Sequence, residues 1–241
     1  MNNKANRQCA DVDIRDYVTG APFLFFNTAN VVGLDIAGGE TYAKAKGRNR
    51  IGFSDPMDNS FRIEAQILPI EAYALIADGT IKTDALIAAK KTVKASEAGK
   101  ITLTDVTDTI KAGSVFVYEV GQYGGAAIEG VSFADKTISA ESIKANTEYE
   151  VAYILEKTSG VKRVALRDDV NTKAYTCTML TNDKDESDNV TVKQIRVYKA
   201  KPKRELSLQF SSEGEPASIT INFGVLEDKD GNNIDIVEID E

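Results

Sequence analysis

The residues best equipped for catalysis are sparse in this sequence, and the commonest general base is missing: among 241 residues there is no histidine. Triads, dyads and metal sites built on imidazole are therefore excluded, and only carboxylate or lysine chemistry remains open. Glu64, Glu71 and Asp78 lie close together in sequence without the spacing of an acid–base pair, and they read as solvated surface. Gly99-Lys100 is followed by Ile101 and has no upstream glycine frame, so it is not a phosphate loop. The glycines of GQYGGAAIEG, residues 121–130, are misplaced for a dinucleotide fingerprint. In LEDKDGNNIDIV, aligning Gly231 with the glycine of a calcium loop puts Leu226 and Val237 where the first and last carboxylates belong, so a charged turn is predicted instead. NDKDESDN, with Asp183, Asp185, Glu186 and Asp188, reads as a solvated loop tip. No cofactor and no metal are expected, and the sequence is read as non-enzymatic.

The elements that would carry such groups are mainly β-strands. Phe61, Ile63, Ala65 and Ile67 alternate with Arg62, Glu64 and Gln66, the period of a strand with one wet face. Pro69 then opens one short helix over Ile70, Tyr73, Ala74 and Ala77, with Gly79 placed for a left-handed C-terminus. For Asp84 to Lys94, helix and strand both stay open. From Lys100 onward ITLTD, SVFVYEV, YEVAYIL, VTVKQIRVY, ELSLQF and SITINFGVL read as strands between turn-rich segments. SVFVYEV is apolar on both faces, which predicts cover from a second sheet or another subunit and makes Val115 and Val117 candidate subunit contacts. The change of phase between Val190, Val192 and Ile195, Val197 predicts a bulge or a switch of buried face. ELSLQF and SITINFGVL are expected to form a hairpin across SSEGEPAS. Residues 1–20 read as an extended polar arm, and GGETYAKAKGRNR as an exposed basic loop.

Composition fixes the broad class. With 29 basic and 37 acidic residues the net charge is −8, which repels phosphate and argues against tight DNA binding. Cys9 and Cys177 match no metal or redox spacing and are expected to be free thiols in a reducing cytoplasm. The amino terminus lacks the apolar core of an export signal and no stretch suits a membrane helix, so no membrane association is expected. Charge is also patterned locally. Lys193 to Arg204 holds six basic residues and no acid, while Glu227 to Glu241 holds seven acids and one lysine. Lys201, Lys203 and Arg204 on one side, and Asp235, Glu238 and Asp240 on the other, are candidate subunit contacts, and part of their pairing is expected between subunits.

The segment QIRVYKAKPKRELSLQFSSEGEPASITINFGVLEDKDGNNIDIVEID resembles the closing region of phage tail-tube (major tail) proteins, and IGFSDPMDNSFRIEAQILPIEAYALIADGTI resembles their strand-then-helix unit. The resemblance implies a tail-tube-like β sandwich or half barrel over residues 21–241 with one flanking short helix. Residues 106–153 match less well and are expected to be an outward insertion. It further implies rings of six that stack into a hollow tube in the virion tail, with DNA passing through unbound and with tape-measure, sheath or terminator proteins as partners. Rival readings are a capsid decoration or baseplate protein, or an immunoglobulin-like bacterial surface module. Long hollow polymers in micrographs would separate the first reading from these.

Overall fold

The computed structural model describes residues 3–168, 171–208, 216 and 218–239. The chain divides into a large unit, Met1–Thr80 with Val164–Glu241, and an inserted unit, Ile81–Arg163. The protein is mainly β, with several antiparallel sheets and a single short helix among the described residues.

The first half of the large unit carries β1 (Lys4–Asn6), β2 (Asp11–Asp16), β3 (Pro22–Phe26), β4 (Ala29–Ala45), β5 (Arg48–Ala65) and α1 (Ile70–Ile76). The inserted unit holds β6 (Ala85–Lys94), β7 (Lys100–Thr102), β8 (Thr109–Ile110), β9 (Phe116–Glu119), β10 (Ser132–Ala134), β11 (Thr137–Ser139) and β12 (Glu148–Lys157). The large unit then closes with β13 (Tyr175–Asp185), β14 (Val190–Pro202), β15 (Ile219–Leu226) and β16 (Ile234–Ile239).

One nine-stranded sheet builds the large unit, in the order β3-β2-β13-β14-β15-β5-β4, with β1 beside β13 and β16 beside β14. Its apolar side chains, among them Val12, Ile14, Phe61, Ile63, Cys177, Val197, Ile221 and Phe223, form one cluster with Ala72, Leu75 and Ile76 of α1. Strands far apart in the sheet order therefore share one core, and the sheet must curl around it rather than lie flat. Alternation explains which residues go inside: on β5 Phe61, Ile63 and Ala65 are buried while Arg62 is exposed. α1 begins directly after Pro69, whose extended backbone (φ −71, ψ 158) serves as the N-cap. Gly79 follows it with φ +71, and a Cβ there would stand 2.7 Å from the Tyr175 hydroxyl, so both conformation and space call for glycine.

The inserted unit has its own core, in which Ile101 and Ile138 from the three-stranded sheet β10-β11-β7 pack with Val117, Tyr149, Val151 and Tyr153 from the sheet of β6, β12, β8 and β9. Neither apolar cluster contains a residue of the other. At the base of the insert, Lys82 N–H donates to Arg163 C=O (2.9 Å) and Arg163 N–H to Lys82 C=O (2.8 Å), so its two ends meet in an antiparallel bridge.

Several expectations need correction. The polar arm over 1–20 contains β1 and β2, and Val12 and Ile14 are fully buried beside β13. The inserted unit spans 81–163 rather than 106–153. GGETYAKAKGRNR is not a loop but the far end of the β4–β5 hairpin, turned at Lys46 (φ 51) and Gly47 (φ 77). Asp84 to Lys94 resolves as strand β6. Residues 203–208 are outside any strand, and β15 pairs with β5 and with the end of β14 instead of with ELSLQF; Gln209 and Phe210 of that segment lie outside the described residues. On β14, no bulge falls between Val192 and Ile195. Val197 and Ile195 turn toward the core cluster while Val190 is exposed, and the register shift comes later, where Cys177 faces Val197 and Tyr175 faces Ala200.

Candidate assembly surface

The carboxylates singled out for chemistry are occupied in shaping turns. Asp228 accepts hydrogen bonds from the N–H groups of Asp230 (2.9 Å) and Asn232 (2.8 Å), and these lower its carboxyl below the ordinary range, the Asn232 amide most. Asp185 likewise accepts from Ser187 N–H and Asn189 N–H (both 2.8 Å) and from the Asn189 amide side chain (2.9 Å), the side-chain bond contributing most to its lowered titration. Asp78 closes the turn after α1 by accepting from Thr80 N–H (2.8 Å). Glu64 lies on β5 opposite Thr220, and Glu71 in the first turn of α1. These are Asx-type turn closures and strand positions, not a convergent set. Among the described residues no group of three or more His, Cys, Asp or Glu is placed to hold a metal ion, and no helix is long and apolar enough to cross a membrane.

What the structure does expose is a long two-stranded ribbon. β4 and β5 pair from their base to the turn at Lys46-Gly47, and every residue from Asp35 to Asp58 is exposed. At about 3.3 Å per residue, the stretch from Asp35 to Ala45 reaches about 33 Å. Ile36 (53 %), Ile51 (57 %), Phe53 (56 %) and Met57 (64 %) sit on it in the open. An isolated two-stranded ribbon is marginal in water, so apolar side chains without a core beneath them point to a partner surface. The ribbon is also charged at its end: Lys44, Lys46, Arg48 and Arg50 occur with no acid between residues 41 and 54.

Two sheet edges accompany it. β4 ends the nine-stranded order, and β16 pairs only with β14, so each has one row of backbone N–H and C=O groups without a strand partner among the described residues. β16 adds exposed Ile236, Val237 and Ile239. Such edges are templates for strand addition by another chain. Both strands contribute side chains to a groove of about 400 Å³ lined by Cys9, Val32, Leu34, Ile36, Met179, Ile195 and Ile236 among others. Partial burial raises the Cys9 thiol above its ordinary range, while full burial does so much more strongly for Cys177 in the core.

The contact candidates read from sequence divide unevenly. The basic and acidic segments are neighbouring strands of one chain: Lys193 is opposite Glu238 and Arg196 opposite Asp235 in the β14–β16 register. Glu238 also meets Lys4 at 3.0 Å, Asp235 accepts from the Tyr198 hydroxyl, and Lys193 is taken by Asp183, so much of this complementarity is used within the subunit. Lys201 and Lys203 are exposed without a carboxylate partner among the described residues, and Arg204 donates to the carbonyls of Arg167 and Asp168. Asp240 lies outside the described residues. Val117 is fully buried in the insert core, and Val115 packs half-buried against it. The open face of that strand is instead Phe116 (50 %), with Val120 (52 %) beyond it. The ribbon was missed because neither of its faces is buried in the chain, and a strand with two wet faces has no period-two signal.

A family model of the YomU/Tube protein family matches residues 7–239. The chain belongs to the YomU/Tube protein family. Membership agrees with the tail-tube resemblance of the sequence, extends it over both units, and describes a tube-like structural protein, a component of a phage tail. No curated protein matches the chain.

Proposed function

We propose that this tube-family protein assembles into stacked rings of six that form the wall of a phage tail tube, through which DNA passes without being bound. The observation that carries the reading is the bare β4–β5 ribbon beside two unpaired sheet edges. In the lone chain these features cost stability and expose apolar surface, whereas joining strands between copies covers both and removes edges inside a closed ring. Charge supports passage of DNA. The inserted unit has 11 basic and 11 acidic residues, so the whole −8 resides in the large unit, with 18 basic and 26 acidic residues. Repeated around a ring, that unit presents a negative field to phosphates. On this reading the neutral insert decorates the outside, and tape-measure, sheath and terminator proteins complete the tail. Lys201 and Lys203 are free to contribute to contacts between copies.

Negative-stain micrographs of the purified protein test the proposal. Hollow polymers or six-fold rings are expected, together with no DNA retention at physiological salt. A single monomeric species across a wide concentration range, or DNA binding that weakens steeply with salt, refutes it.

A further inference from the structure

We infer that the groove lined in part by β4 and β16 is the docking site for the β4–β5 ribbon of a second copy, with ribbon residues 41–54 as the occupant. The inference rests on the assembly reading above and names its contact. Three observations converge on it. The groove is lined by Leu34, Met179 and Ile195 together with the exposed Ile36 and Ile236, and two of the strands that contribute to it, β4 and β16, each lack a strand partner along one edge among the described residues. Its occupant therefore needs backbone groups to pair and apolar side chains to bury, which is what an extended strand supplies and a compact globular surface does not. The ribbon has both, with Ile51 and Phe53 lacking any core of their own.

Charge selects between possible acceptors. The end of the ribbon carries four cations and no acid, and the inserted unit is neutral, whereas the large unit outside residues 41–54 holds 14 basic and 26 acidic residues. A basic ribbon is drawn toward that unit, not toward the insert. A groove on one copy and a ribbon on the next are unlike surfaces, so the contact is head-to-tail and propagates through every copy.

Cys9 provides a native reporter, because it lines the groove and is exposed, while Cys177 is fully buried. Ile51→Cys and Phe53→Cys are made separately in the full chain, incubated under polymerising conditions followed by micrograph, and treated with a short bismaleimide. The expected result is a ladder of dimers, trimers and higher species on a denaturing gel, lost when Cys9→Ser is added. A dimer band that survives Cys9→Ser shows ribbon meeting ribbon and overturns the inference. So does a polymerised sample without a ladder, and in that case the assembly reading stands. Absence of both polymer and ladder overturns both.

Discussion

Deleting residues 83–162 and joining Lys82 to Arg163 through an Asn-Gly turn tests whether the large unit folds by itself. The two ends are already a hydrogen-bonded antiparallel pair, with reciprocal bonds of 2.9 and 2.8 Å, so a two-residue turn spans them without moving the backbone. No residue of the large unit's apolar cluster is removed. The deletion does take away Asp84, whose carbonyl and carboxylate hold the Arg163 guanidinium at 2.8 and 2.6 Å. That exposed ion pair is worth about 0–1 kcal/mol. Against it, shortening the connection from about 80 residues to two amounts to about five halvings at about 0.6 kcal/mol each, or roughly 3 kcal/mol of closure entropy if the insert is unfolded when the large unit forms. If the insert folds first it closes the connection itself, and the gain vanishes. The expected change in stability thus runs from about −1 to +3 kcal/mol, read from urea melts by circular dichroism, with tyrosine fluorescence as second probe because the chain has no tryptophan. Residues 81–163 alone should melt cooperatively as well. Loss of a cooperative transition in the deletion variant, or destabilisation beyond about 2 kcal/mol, would refute the independence of the two cores.

Three other expectations are simpler. Gly79→Ala should destabilise the large unit by roughly 1–3 kcal/mol, since alanine is strained at φ +71 and its methyl would meet the Tyr175 hydroxyl at 2.7 Å; a melt unchanged within 0.5 kcal/mol, to within about the error of such measurements, contradicts this. A disulfide reagent should modify Cys9 in the native protein, faster as pH rises toward its elevated titration point, and reach the buried Cys177 only on unfolding, which thiol counting with and without denaturant measures. Asp183 is held below the ordinary carboxylate range chiefly by the Lys193 ammonium, with help from Asn6, so its charge stabilises the fold above its unfolded value near about 3.9 and that contribution is lost as pH falls through the lower folded value. Asp183→Asn should lower stability at neutral pH and flatten its decline in acid, visible in melts from neutral to acidic buffer.

How much of this was legible depends on which residues are buried by the chain itself. The end of β5 from Phe61 to Ala65, β12, β14 and α1 are legible because a dry face alternates with a wet one, as at Phe61, Ile63 and Ala65 or Tyr149, Val151 and Tyr153. Even there the pattern runs past the structure, for Ile67 continues the alternation and is 70 % exposed. β2 was hidden by its brevity: Val12 and Ile14 alternate with Asp11, Asp13 and Arg15, and the charges outweigh two apolar residues in a scan for apolar runs. The supposed partnership of ELSLQF with SITINFGVL failed for another reason. Alternation identifies a strand but not its neighbour, and the nearest apolar run is only the default choice; Ile221 and Phe223 instead pair with Ile63 and Phe61, some 160 residues away in the chain. The opposite charges of the two late segments are legible in the sequence but their place is not, because adjacent strands and adjacent subunits satisfy such complementarity equally.

The residues that a single chain leaves unexplained are then the informative ones. Gly38, Gly39 and Gly52 along the ribbon would be costly in an isolated hairpin, since glycine weakens strand interiors. At Gly52 the structure gives a local reason, for the Tyr42 ring lies where a side chain would project, 3.3 Å from its Cβ position. At Gly38 a side chain would meet nothing within 4 Å, and the residue stands where the β4–β5 register shifts, a place strand glycines often mark. Ile51 and Phe53 are exposed in the single chain, and on the proposed assembly they would gain about 1.5–3 kcal/mol per side chain on full burial against a neighbouring copy. On the proposed assembly, the ribbon's sequence encodes the contact, and the fold of the single chain holds it out.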